Sequence, residues 1–209
     1  DRQAIFYIFY RHGLVLERML EIVPATRWRT ILEIGAGWGG FAALARRKLD
    51  PRSRYIILDI PHSILIQVNF LRSVGYTELI VYRPSLGSLS SIIRCASFQF
   101  LFILPQHIDF LDAASIDLVF NMDSFVEMPE STINMYIRQV ARASTALFTL
   151  NKQYMNYGQL QGAINRWLVQ GGGFKLEHQA PHRGIKGFGT WPFSIGLSMG
   201  YQEQFFVKA

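Results

Sequence analysis

The chain has 209 residues, of which half are apolar and 17% charged, with a formal net charge of +6; this is the size and composition of one packed domain with a two-sided core. The most apolar stretch, 98–105, falls far short of the roughly 20 residues that cross a bilayer, and no basic-then-apolar leader opens the sequence, so the expected setting is the cytosol. Cys95 stands alone, which excludes an intrachain disulfide framework or a thiolate-rich zinc site, and cations gather only at Arg46-Arg47-Lys48, so no nucleic-acid stripe is drawn.

Short apolar runs alternate with amphipathic stretches, the pattern of a parallel sheet covered by helices on both faces. Residues 2–22 read as a helix with Leu16, Met19, Leu20 and Val23 on one side, stopped by Pro24. Thr30–Ile34 is a buried strand that runs into glycines, and Phe41, Leu44, Ala45 and Leu49 mark the helix after it, ending at Asp50-Pro51. The basic triplet falls in its last turn, where cations favour the dipole and face water. Tyr55–Asp59 is a second strand; Pro61 opens the next helix, whose apolar face carries Leu65, Val68 and Leu71 and which Gly75 closes.

Residues 79–82 and 98–104 both have strand character. The longer and more apolar 98–104 is taken as the third core strand, with 79–82 as an insertion. Cys95, just before it, reads as a small buried apolar residue. Ile116–Asn121 is a fourth strand, and Pro129 starts a helix through Ile133, Ile137 and Val140. Ala146–Leu150 is a fifth strand, and a helix bearing Leu160, Ile164 and Leu168 ends at Gly171-Gly172-Gly173. The alternation then breaks. Phe174–His178 and Tyr201–Val207 read as strands with no helix between them, able to pair antiparallel through a Gly/Pro/aromatic connection at 179–200.

A Gly-rich turn between strand and helix lets a ligand approach the backbone and aims free helix N–H groups at it. Glu33-Ile34-Gly35-Ala36-Gly37-Trp38-Gly39-Gly40 has this form, and Gly35, Gly37 and Gly40 also meet the dinucleotide spacing. Its neighbours separate the two possibilities. Glu33 would oppose a pyrophosphate but suit a sulfonium or an ammonium, while Asp59 can accept both hydroxyls of a ribose in either kind of site. Both acids have plainer uses as well, Glu33 capping backbone amides and Asp59 capping the helix at Pro61.

E-x-G-x-G-x-G after the first strand, an acid ending the second and an antiparallel final strand together resemble class I S-adenosylmethionine-dependent methyltransferases. Leu58-Asp59-Ile60-Pro61-His62 is similar to the D-L-P-[EH] variant of several small-molecule O-methyltransferases. Phe120-Asn121-Met122-Asp123-Ser124-Phe125-Val126-Glu127-Met128-Pro129, with Phe102-Ile103-Leu104-Pro105 ahead of it, resembles the N-x-D-S-F-x-E-M-P signature of a sugar O-methyltransferase family. The likeness spans roughly residues 28–152. It implies a Rossmann-like α/β fold: a mainly parallel seven-stranded sheet with an antiparallel final strand and helices on both faces. It also implies one methyltransferase domain over 1–209, divided into an N-terminal helical segment (1–24), a cofactor-binding core (28–178) and a substrate-side loop with the final strand (179–209).

The resemblance implies S-adenosylmethionine as cofactor, with Glu33, Gly35, Gly37 and Gly39 around its methionine part, Asp59 on its ribose, and Gln106 and His107 beside its adenine. Asp109 could equally bond the adenine amino group. The acceptor is expected to be a sugar or sugar-bearing metabolite, with neither nucleic acid nor membrane as partner. A hydroxyl is a poor nucleophile, so a nearby base should help. Asp123 and Glu127, past the fourth strand on the ligand-binding edge of an open α/β sheet, are the candidates; two carboxylates are too few to claim a metal. Their structural alternative is a turn cap and a helix cap.

Asn151, Lys152 and His182 are candidate substrate contacts, His182 because it lies beside Arg183, Lys186, Trp191 and Phe193 in a long irregular segment. His62, His107, His178 and His182 read singly as structural, and Tyr7, Tyr10 and Arg11 as part of a docking helix that could also cover the cofactor. Two rival enzyme classes and one non-enzyme remain. A dinucleotide oxidoreductase would need a continuing parallel sheet and a second domain. A nucleic-acid methyltransferase would carry an N/D-P-P-aromatic motif where Asn121-Met122-Asp123-Ser124 stands. A cofactor-binding domain without catalysis would be indifferent to the loss of Asp123.

Overall fold

A computed structural model describes residues 2–182 and 200–209. Its helices are α1 (Arg2–Ile22), α2 (Gly40–Lys48), α3 (Pro61–Ser73), α4 (Leu89–Cys95), α5 (Glu130–Ala143) and α6 (Tyr157–Ala163). The strands are β1 (Thr30–Ile34), β2 (Arg54–Leu58), β3 (Leu79–Val81), β4 (Phe100–Ile103), β5 (Leu118–Met122), β6 (Ala146–Lys152), β7 (Phe174–Pro181) and β8 (Tyr201–Lys208). They form one eight-stranded sheet in the order β3-β4-β2-β1-β5-β6-β8-β7. Only β8 runs against the rest, antiparallel to both β6 and β7. The expected seven strands are therefore eight. Residues 98–104 do supply the neighbour of β2, and 79–81 join the sheet as an added edge strand pairing in parallel with β4.

Alternation along each strand divides the core in two. Ile31, Tyr55, Ile57, Phe100, Phe102, Phe120 and Phe148 point to the face covered by α1, α2 and α3. Leu32, Ile34, Ile56, Leu58, Leu101, Ile103 and Val119 point to the face covered by α4, α5 and α6. On α5, Ile133, Ile137 and Val140 are buried as the helical spacing predicts. After Ala163 the helix continues as a π-helical turn, Ile164–Gln170, that buries Ile164 and Leu168.

Three expectations about burial are corrected. Leu20 and Leu65 are exposed at 41% and 64%; each lies one residue off the true stripe, made by Val15, Leu16, Met19 and Val23 on α1 and by Ile64, Val68 and Leu71 on α3. Cys95 is exposed, because it ends α4 after the inward-facing Leu89 and Ile93. Among the described residues no helix is long and apolar enough to cross a membrane.

The register sets one edge of the sheet. Ile34 pairs with Leu58 and Asn121, Leu58 with Ile103, Met122 with Leu150, and Lys152 with Tyr201. The segments that follow β1, β2, β4, β5 and β6, and the start of β8, all emerge along this carboxyl edge. That is where open α/β sheets hold ligands.

Helix α1 is tied across β8 by a buried charge cluster. Glu203, 1% exposed, takes two bonds from Arg18, with Nε and Nη2 each 2.9 Å from Oε1. His178 Nε2 lies 2.8 Å from the same oxygen and His182 Nδ1 3.0 Å from Oε2. Burial alone would push this carboxyl up, but His182, Arg18 and His178 outweigh it and hold it down at about 2. Its stabilisation is present above the ordinary carboxylate range and is lost as pH falls through about 2. Glu203→Gln leaves Arg18 without its buried counter-charge, and denaturant unfolding at neutral pH should show a loss of about 3 kcal/mol. The variant should also lack the wild-type decline in stability between pH 4.5 and 2.

Candidate active site

Gly35, Gly37 and Gly39 all have positive φ, +74°, +58° and +89°, a region that L side chains enter only with strain. Their surroundings differ. A Cβ on Gly35 would stand 2.3 Å from Ser124 Oγ, so the turn after β1 is pressed directly onto the segment after β5. A Cβ on Gly37 would meet nothing within 4 Å, so open space lies against the backbone there. Gly39 precedes α2 without any side-chain cap on the helix, which leaves its first amides for another acceptor.

Two networks hold this turn. Gln67, fully buried on the inner face of α3, donates to Gly37 O at 2.9 Å and to Asp59 Oδ2 at 2.7 Å. It thereby sets the glycine turn and the end of β2 at a fixed separation. Asn121 donates to Ile34 O at 2.9 Å and to Ser124 Oγ, and Ser124 Oγ in turn donates to Ile34 O at 3.0 Å. Trp38 closes the outer side: its ring meets Phe70 at 4.5 Å and Phe9 at 4.8 Å edge-on and stacks with His12 at 5.8 Å. Burial, then the Arg11 charge, lowers His12 to about 4, so α1 packs on the turn with a neutral imidazole.

Asp59 follows β2 directly and is half-buried. Its Oδ1 accepts Ile60 N at 2.8 Å and its Oδ2 accepts Gln67. A carboxylate offers about four acceptor positions, so about two remain, the number a vicinal diol needs. Glu33 sits differently. It is 2% exposed and takes the Tyr55 hydroxyl at 2.8 Å. Alternation gives residue 33 the same side as Ile31, under α2. Burial raises it to about 8, a bond from Tyr55 opposes this, and the Asp59 charge adds to it. Glu33 therefore braces β1 against β2 as a neutral acid and brings no charge to the crevice surface.

Asp123 has φ +65°, unusual for a residue with a side chain. The bend turns its carboxylate to meet α1 and β8: Oδ2 accepts Arg11 Nη2 at 2.5 Å and the Tyr201 hydroxyl at 2.9 Å. Its Oδ1 is buried with no partner among the described residues. Glu127 ends the short 3-10 turn after it and is exposed. Past β4, Gln106 is exposed, whereas His107 is buried, with Nδ1 accepting Leu104 N at 3.3 Å and its ring edge-on to Tyr82. Asp109 is engaged by Gln139 of α5.

Asn151 is 1% exposed and donates to Asn121 Oδ1 at 3.0 Å and to Thr149 Oγ1, so it extends the buried network behind the turn. Lys152 Nζ lies 5.8 Å from the Tyr201 ring. His182 is buried on Glu203. The rest of its segment, with Arg183, Lys186, Trp191 and Phe193, lies outside the described residues, as does the side chain of Tyr7. Tyr10 is exposed. The carboxyl edge thus gathers the glycines, Asp59, Asp123, Lys152 and the lip at Gln106 and Glu127, while Glu33, His107 and Asn151 face inward. Gln67, Trp38, Ser124 and Tyr201 were not among the expected site residues. Gln67 had one readable sign, a polar residue on the buried stripe of α3. A hollow of about 900 Å³ opens at the opposite end, among Trp28, Arg29, Lys48 and Arg54, and holds none of this chemistry.

The neutral state of Glu33 has a measurable consequence. The unfolded chain releases this proton near 4.5 and the folded chain near 8, so between them folding retains a proton and stability falls as pH rises. Glu33→Gln should flatten that decline by about 3 kcal/mol in unfolding experiments from pH 5 to 8.

No protein-family model matches the chain, and no curated protein matches its sequence. Its fold matches many solved structures. A mitomycin 7-O-methyltransferase aligns over 96% of this chain and 54% of its own, with TM-score 0.59 and 12% identity. The pyocyanin biosynthetic protein aligns over 94% and 55%, with TM-score 0.58 and 11% identity. The geranyl diphosphate C-methyltransferase of Streptomyces coelicolor A3(2), solved with Mg2+, geranyl diphosphate and S-adenosyl-L-homocysteine, aligns over 94% and 77%, with TM-score 0.61 and 10% identity. The chain spans about half the length of the first two. At these identities the likeness concerns architecture, and in architecture the chain has the Rossmann-like fold of class I methyltransferases.

Proposed function

We propose that the chain is an S-adenosylmethionine-dependent O-methyltransferase acting on a hydroxyl of a sugar or sugar-containing metabolite. The observation that carries this reading is the meeting, across the Gly35–Ser124 contact, of two unfinished carboxylates: Asp59 with acceptor positions to spare, and Asp123 with a buried Oδ1 that has no donor among the described residues. The fold supports it, and one matching methyltransferase was solved with S-adenosyl-L-homocysteine. The sugar acceptor rests on the likeness of residues 120–129 alone.

The residues present fit that cofactor. Open space at Gly37 admits a ligand to the backbone, the uncapped start of α2 offers amides, and Asp59 matches a ribose diol. Gln106, at the lip past β4, is placed for the adenine side, with His107 behind it. When bound, the cofactor supplies a methyl group made electrophilic by its sulfonium. The protein's part is to hold the acceptor oxygen in line with that group, which removes much of the entropic barrier, and to receive the hydroxyl proton. Asp123 receives it in this reading, with Glu127 the second candidate at the lip. Lys152 stands on the acceptor side in this reading, with His182 behind β8 on Glu203, and Asn151 acts from behind by holding Asn121.

Asp59→Ala should raise the dissociation constant of S-adenosylhomocysteine at least about tenfold by calorimetry, equivalent to about 1.4 kcal/mol; unchanged affinity removes the ribose assignment. Asp123→Asn should cut turnover far more than cofactor affinity, with turnover followed as a one-methyl mass gain across a glycan screen. Equal losses in both would make Asp123 structural.

A further inference from the structure

The acceptor side of this site holds an ammonium, that of Lys152, with no carboxylate partner among the described residues. Tyr201 opens β8 opposite Lys152 of β6, and its hydroxyl donates to Asp123. Two cations lie on its ring: the Arg11 guanidinium, 4.8 Å from the centroid, and the Lys152 ammonium, at 5.8 Å. They are not equivalent. Arg11 is matched by Asp123 in an ion pair of 2.5 Å. Glu203, also on this flank, is paired with Arg18 and bonded by His178 and His182, and Glu127 stands exposed at the lip. Lys152 is half-buried, and among the described residues no carboxylate lies within ion-pair distance of it.

A partly desolvated ammonium gains something from an aromatic face but more from an anion. Arg11 and Asp123 pair with each other beside the proposed point of reaction, so Asp123 is not free to pair with Lys152. A neutral sugar would leave Lys152 unmatched, and an amino sugar would be repelled.

We propose that the acceptor bears an anionic group, a carboxylate or a phosphate, and that Lys152 binds it while Asp123 faces the hydroxyl to be methylated. This rests on the methyl-transfer reading above and narrows its substrate class to sugar acids or sugar phosphates. Lys152 is then a specificity-determining residue, distinct from the cofactor groups on the far side of the glycine turn.

The test is calorimetric titration of the protein saturated with S-adenosylhomocysteine, at constant ionic strength, with glucuronate, glucose 6-phosphate, glucose and glucosamine. At least one anionic compound should bind about tenfold or more tighter than glucose, with glucosamine weakest. Which of the two binds identifies the charged group. Lys152→Gln should bring that compound to within about threefold of glucose, while S-adenosylhomocysteine affinity stays at the wild-type value and reports an intact fold. Glucose or glucosamine binding as tightly as both anions, no binding by either anion, or a preference that survives Lys152→Gln overturns the proposal. Failure of S-adenosylhomocysteine itself to bind appears before any sugar is added; it removes the methyl-transfer reading and this proposal with it.

Discussion

Ser124 occupies the volume that a side chain at position 35 would need, and the site is organised around that exclusion. The hydroxyl can sit there only because residue 35 has no Cβ, and once there it bonds back to Ile34 O with help from Asn121. The ends of β1 and β5 are thus joined by packing and hydrogen bonds together. The glycine turn and the bend that aims Asp123 become one rigid object. Gln67 adds the end of β2 to it, so three strand ends are held relative to one another before any ligand arrives. In the proposed methyl transfer, which depends on alignment, such preorganisation would be the protein's main lever.

The same edge shows how buried charge is used. Glu203 and Asp123 each face α1, through Arg18 and Arg11, two turns apart on one side of the helix. Partly buried pairs of this kind contribute little net stability over an apolar contact, but losing one partner leaves the other charge unmatched. Apolar residues Val15, Leu16 and Met19 supply the adhesion of α1, and the two arginines fix its register along β8. Glu33 follows the opposite rule. With no cation beside it, it takes a neutral tyrosine and keeps its proton.

Much of the architecture was legible because alternation and helical spacing are local properties. The core strands, the helix bounds at Pro24, Pro61 and Pro129, and the antiparallel end of the sheet follow from residues close in sequence. Pairing partners are not local. Residues 79–81 carry the marks of a strand but none that says they join the outside of β4. Position along a strand also hid the orientation of Glu33: its place before the glycines suggested a ligand, whereas its shared parity with Ile31 put it under a helix. Arg11 and Asp123 are separated by 112 residues, and no spacing rule connects them. Asp59 and Gly37 stand at the edge as the motif implied, while the partner that unites them, Gln67, was concealed among apolar neighbours on α3.

The two borders of the sheet bear on how copies of this protein can meet. At one border β3 offers only three residues of backbone, Leu79–Val81. At the other, β7 is broken by an irregularity between Leu176 and His178, is flanked by the charges of Lys175 and Glu177, and ends at Pro181, which has no amide to donate. Short, kinked or charged margins of this sort resist the addition of further strands from a second molecule. Self-association that extended the sheet is thus disfavoured at both margins.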